Sequence, residues 1–130
     1  MAMLAWSHPL GPDITPLNIA GIDAEVGLKS IGGKRERYES LLRKFAERQA
    51  GTAEAIRIAL SAGDASTAER EAHSLKGAAS TLGATALAKY AAEVEIAIKT
   101  GQNVDEALDA LSHSLGAVVK AIRAVFLSDS

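Results

Sequence analysis

The chain is 130 residues long, carries a formal net charge of −2, and is 48% hydrophobic but only 4% aromatic. That length supports one domain with at most a tail, and the slight acidic excess gives no basis for nucleic-acid binding, which rests on a clear basic surplus. With no cysteine there are no disulfides and no thiolate chemistry, and no apolar run approaches the roughly 20 residues of a membrane-spanning helix.

Residues 1–20 (MAMLAWSHPLGPDITPLNIA) hold all three prolines and show no helical period. They read as a tail or linker, with Leu17 and Ile19 as its one point of packing. The first residues lack a basic stretch, so no signal peptide is expected. Trp6, the only tryptophan, lies in this tail and has no role that the sequence assigns.

From Gly21 the punctuation becomes regular. Asp23 can cap a short helix that ends at Gly32-Gly33. A second helix starts near Lys34, with Tyr38, Leu41, Leu42 and Phe45 at helical spacing. Gly51-Thr52 either ends it, with Thr52 capping a third helix, or kinks one long helix. Gly63-Asp64 is a break, after which Asp64, or Ser66 with Glu69 as a capping box, opens the next helix. That helix closes at Gly83, placed as a left-handed cap after Leu82. Another runs from Thr85 to Thr100 with Leu87, Ala91, Val94 and Ile98 inward, and stops at Gly101. The last begins at Asn103, with Glu106 three residues on, and turns Leu108, Leu111, Leu115, Val118, Ile122 and Val125 inward. An abundance of alanine and short connections favour an all-α fold, an antiparallel up-down four-helix bundle with a short extra N-terminal helix.

The helix from Asp64 to Gly83 contains AHSLKGA (residues 72–78), with a glycine where one costs roughly 1 kcal/mol relative to alanine. Projected at about 100° per residue, Lys76 lies about 60° to one side of His73 and Gly77 about 40° to the other, with Ser80 nearly in line two turns on. Ala68, Leu75, Ala79 and Leu82 fall on the opposite side, with Ala72 and Ala78 on the flanks. His73 therefore points away from the core. Gly77 clears space beside the imidazole, Lys76 brings a mobile cation to that space, and Ser80 adds a hydroxyl. Such a face suits a histidine that carries a phosphoryl group, which brings nearly two negative charges and several acceptor oxygens. An exposed position also lets a partner's nucleophile approach phosphorus in line.

These residues resemble the HxxKG signature of histidine-containing phosphotransfer (HPt) domains. Gly21–Gln49 is similar to the family's opening, a short helix before a Gly-Gly turn and a Tyr/Leu/Phe helix. Ala59–Glu95 is similar to its core, including the Gly-Asp break, the Leu82-Gly83-Ala84 turn, and Val94-Glu95 where a Leu-Glu pair is common. The resemblance is clear from Gly21 to Gly101 and reaches the last helix by pattern alone. It implies a domain spanning residues 21–130 that shuttles phosphoryl groups in a two-component phosphorelay. His73 would be the acceptor through Nε2, Lys76 the electrostatic stabiliser, Gly77 the residue that keeps the site open, and Ser80 a further hydrogen-bonding group. The partners implied are response-regulator receiver domains and a sensor or hybrid histidine kinase. No cofactor is expected on this chain, Mg²⁺ belonging to the partner receiver. A receiver is expected to dock around Ala72, Gly77, Thr81 and the Gly83 turn. A cytoplasmic monomer without turnover of its own is expected, free or as the C-terminal module of a membrane-bound hybrid kinase.

Other features carry less. His113 lacks a following Lys-Gly pair, and with His8 it reads as solvated surface. The three histidines show neither HxxxH nor HExxH spacing, so no zinc site is expected. The basic run Lys34-Arg35-Glu36-Arg37, continued by Arg43-Lys44, is interleaved with Glu36, Glu39 and Glu47 and reads as an ion-paired face. An adaptor that docks receivers without phosphate chemistry is the alternative function, against which intact His73, Lys76 and Gly77 stand. An enzyme would need a nucleotide-binding loop or a metal-ligand set, and neither is present.

Overall fold

A computed structural model describes residues 19–127. The tail features named above, Leu17, Trp6 and His8 among them, lie outside those residues. Six helices follow in order: α1 (Ala24–Ser30), α2 (Arg35–Gln49), α3 (Thr52–Ser61), α4 (Ala65–Leu82), α5 (Thr85–Thr100) and α6 (Val104–Leu127).

Caps explain four of these boundaries. Asp23 accepts the Val26 N–H at 3.2 Å and starts α1. Asp64 accepts the Thr67 N–H at 3.1 Å and starts α4, so the Ser66–Glu69 alternative is not used. Gly83 and Gly101 take the left-handed conformation, at φ 88° and 71°, that ends α4 and α5. Thr52 does not cap α3. It is buried, and its hydroxyl donates to the Gln49 side chain at 2.6 Å across the break. Ala50 keeps helical angles between α2 and α3, and both segments pack against α4 and α6. The pair therefore forms one interrupted arm of the bundle.

With α2/α3 as one arm, each arm contacts the next around the ring α2/α3, α4, α5, α6, and α6 closes on α2 and α3. This is the four-membered antiparallel arrangement that short connections enforce. The centre holds Leu42, Phe45, Ile56, Leu75, Leu87, Val94, Leu108, Leu111, Leu115 and Ile122, all buried, and burial of each large side chain stabilises by about 1.5–3 kcal/mol. Ile98 and Val125 of the inward rows and Leu41 are only half-buried. Ala68, Ala72, Ala79, Ala88 and Ala91 are buried on α4 and α5, the most extensively paired helices, where small side chains let two helix backbones approach. Ile19 is buried in the same core.

The C-terminus of α4 is held from outside the helix. Ser30 Oγ donates to the Thr81 carbonyl at 2.6 Å, Tyr38 Oη to the Leu82 carbonyl at 2.6 Å, and the Asp23 N–H to the Gly83 carbonyl at 2.8 Å. Three successive carbonyls that the helix itself leaves free are thereby satisfied. Tyr38→Phe strands the buried Leu82 oxygen and is expected to cost about 1–3 kcal/mol in urea unfolding. Burial, with the Asp23 charge adding to it, pushes the Tyr38 hydroxyl up to about 12. Its folded value thus exceeds the ordinary tyrosine value of about 10, so the neutral form is favoured by folding. That contribution is complete below about pH 10 and is lost as pH rises toward 12. Tyr38→Phe should remove this alkaline loss, and a variant that kept it in full would show that another group is responsible.

Candidate functional site

His73 sits near the middle of α4, about midway between the Asp64 cap and Gly83. Ala68, Ala72, Leu75, Ala79 and Leu82 face the core, and the His73 side chain on the other side is 65% exposed. Gly77, one turn on, is exposed, and a Cβ built there would meet nothing within 4 Å. Among the described residues no contact requires a glycine at that position.

The imidazole is not isolated. Glu95 of α5 lies across the α4–α5 seam with its side chain only 13% exposed. His73 Nδ1 is 3.2 Å from Glu95 Oε2, and Lys76 Nζ donates to Glu95 Oε1 at 3.0 Å. Lys99, one turn further along α5, places Nζ 3.6 Å from Oε2. His73 and Lys76 are thus joined through a shared carboxylate. Hydrogen bonded to it, the Lys76 ammonium holds the Glu95 carboxyl below its ordinary range, against the opposing effect of burial. The His73 contact adds to that lowering.

This geometry selects a tautomer. An ionised carboxylate only accepts, so the neutral imidazole keeps its proton on Nδ1. Nε2 then bears the lone pair across the ring from Glu95. A nucleophilic nitrogen, a half-exposed ammonium and an open patch at Gly77 share one face.

Ser80 is exposed on the same side but two turns from His73, roughly 10 Å along the axis. Of the surface expected to receive a partner, Gly77 and Thr81 are exposed, whereas Ala72 and Gly83 are buried and cannot contribute. Ala72 lies on the flank that carries Lys76, whose ammonium reaches Glu95 of α5. On the other flank an apolar groove of about 220 Å³ runs between α2 and α4. Leu41, Phe45, Ala78 and Leu82 line it, with Lys44 and Arg48 at its edge.

Glu95 and Lys99 are the residues that sequence reasoning missed. Glu95 was visible only as the second half of an apolar–acidic pair, and Lys99 as its i,i+4 partner. His113 is exposed on α6. Among the described residues no group of three or more His, Asp or Glu could hold a metal ion.

Comparison with protein-family models matches residues 40–125 to the Hpt domain. The match takes in α6, reached by pattern alone in the sequence, and begins after α1 and the Gly-Gly turn. Comparisons with curated proteins and with solved structures found no match. A span of well over half the chain, folded as a helical bundle with an exposed histidine on its central helix, places this protein in the Hpt family of phosphoryl-carrying modules in two-component phosphorelays.

Proposed function

We propose that His73 accepts a phosphoryl group from a receiver-domain aspartate, or from a hybrid kinase, and passes it to the aspartate of a response-regulator receiver. The observation that carries this is the Glu95–His73 contact, which leaves Nε2 as the nucleophilic nitrogen on an exposed helix face. The Nε2 lone pair attacks phosphorus in line, the Nε2–P bond forms, and the P–O bond to the aspartyl carboxylate breaks. No proton need leave the ring. The phosphorylated imidazole keeps Nδ1–H and gains positive character, which Glu95 stabilises. Lys76 offsets the charge of the phosphoryl oxygens, and Gly77 leaves room for the group and its donor. Ser80, two turns away, would meet the partner sooner than the phosphate. The same atoms run the reverse step when an aspartate attacks.

The donor and acceptor receivers supply the carboxylate and its Mg²⁺, so this chain works as a carrier without turnover of its own and without a cofactor. Receivers dock over Gly77 and Thr81 and along the α2–α4 groove, whose Lys44 and Arg48 favour an acidic-edged apolar partner surface. No helix among the described residues is long and apolar enough to cross a membrane. The module works as a cytoplasmic monomer, free or joined to a hybrid kinase.

Incubation with a phosphorylated receiver should give acid-labile, base-stable label on the protein, and His73→Gln should abolish it. Retention of that label in His73→Gln would falsify the assignment. Receiver binding without any label on the unsubstituted protein would favour the adaptor function instead.

A further inference from the structure

The Glu95 carboxylate is shared unequally. Among the described residues Oε1 accepts from Lys76 alone, whereas Oε2 faces His73 Nδ1 at 3.2 Å and the Lys99 ammonium at 3.6 Å, the latter an ion pair beyond hydrogen-bond length. Among the described residues Lys76 and Lys99 pair with no other carboxylate. As the Lys76 ammonium turns toward a phosphoryl group on Nε2, its hold on Oε1 weakens. A carboxylate that is nearly nine-tenths covered gives up one cation more readily when a second stays with it, because a buried unpaired charge is costly.

We propose that Lys99 is a positioning residue that releases Lys76 to the phosphoryl group. This rests on His73 as the acceptor. Lys99 follows Glu95 at i+4, the favourable acid-before-base order on a helix. Its side chain is 57% exposed. It remains on Oε2 while Lys76 swings from Oε1 to the incoming oxygens. Glu95 then keeps one cation and the imidazole N–H throughout, and the His73 ring keeps its orientation. Without Lys99, Lys76 is the sole counter-charge of Glu95 and is held back from the phosphate.

The test is a double-mutant cycle on phosphoryl partition, since only such a cycle separates coupling from additive charge effects. The equilibrium fraction of labelled protein is measured against a phosphorylated receiver, with thermal unfolding as the check on fold. Lys99→Ala should lower that fraction about two- to five-fold, the range of an exposed ion pair, and Lys99→Arg should restore it. In a Lys76→Ala background Lys99→Ala should change nothing, because there is no ammonium left to release. Glu95→Gln should also make Lys99 silent, and it serves where Lys76→Ala labels too weakly to quantify. An equal loss in every background would mean that Lys99 acts on the phosphate directly, and no loss in the unsubstituted background would mean that it plays no part. Either outcome overturns the inference and leaves His73 as acceptor, whereas an unsubstituted protein that takes no label overturns the acceptor assignment itself.

Discussion

Gly77→Leu is expected to lower phosphotransfer from a receiver by more than about 100-fold while leaving the bundle at least as stable as before. A displacement of about 1 Å at a reacting centre is enough for a loss of that order, and a leucine side chain would stand in the space beside the imidazole. Stability should not suffer, because a Cβ at Gly77 meets nothing within 4 Å and leucine is favoured over glycine in a helix by roughly 0.5–1 kcal/mol. Activity and stability should therefore move in opposite directions. Gly116, on α6, is a helical glycine of equal openness on a different arm. Gly116→Leu serves as the control, with transfer unchanged. Comparable rates for Gly77→Leu and the unsubstituted protein would remove the argument for clearance at this glycine.

Gly27→Ala should do the reverse, costing roughly 3 kcal/mol, the upper end for overpacking a filled site, with little effect on the chemistry of the folded fraction. Gly27 is buried in α1, and a Cβ there would overlap the Leu82 carbonyl oxygen and the Tyr38 ring. Both are parts of the clasp on the C-terminus of α4, and neither can yield without breaking the Tyr38–Leu82 hydrogen bond. Either the whole domain loses stability in urea, or α1 detaches and the Gly27 amide, now bonded to the Asp23 carbonyl at 3.1 Å, exchanges rapidly with solvent. Unchanged stability together with unchanged protection at Gly27 would show that α1 does not rest on α4. His73 lies on the exposed face of α4, about two and a half turns before the clasp, so the two glycines separate a folding role from a functional one.

What the sequence made legible depends on how far each cause reaches along the chain. Asp23, Asp64, Gly83 and Gly101 act within one turn, and the boundaries they set, including Thr85–Thr100, are those observed. The outward direction of His73 followed from the position of Leu75, Ala79 and Leu82 on the same helix. Glu95 required more, because its meeting with His73 depends on the rotation of α5 about its own axis relative to α4, which periodicity leaves free. The same freedom hid the burial of Ala72, a flank residue whose exposure is decided by where the neighbouring helix lies. Gly27 shows a third case. Its identity was plain in the sequence, but its reason is a carbonyl oxygen 55 positions later in the chain.

These local and distant causes converge on one atom. The most direct measurement is the ¹⁵N and ³¹P NMR spectrum of the uniformly ¹⁵N-labelled protein after phosphorylation by a receiver. Coupling between phosphorus and Nε2 of His73, with Nδ1 still protonated, is the expected result. Coupling to Nδ1 of His73, or to a nitrogen of His113, would contradict it.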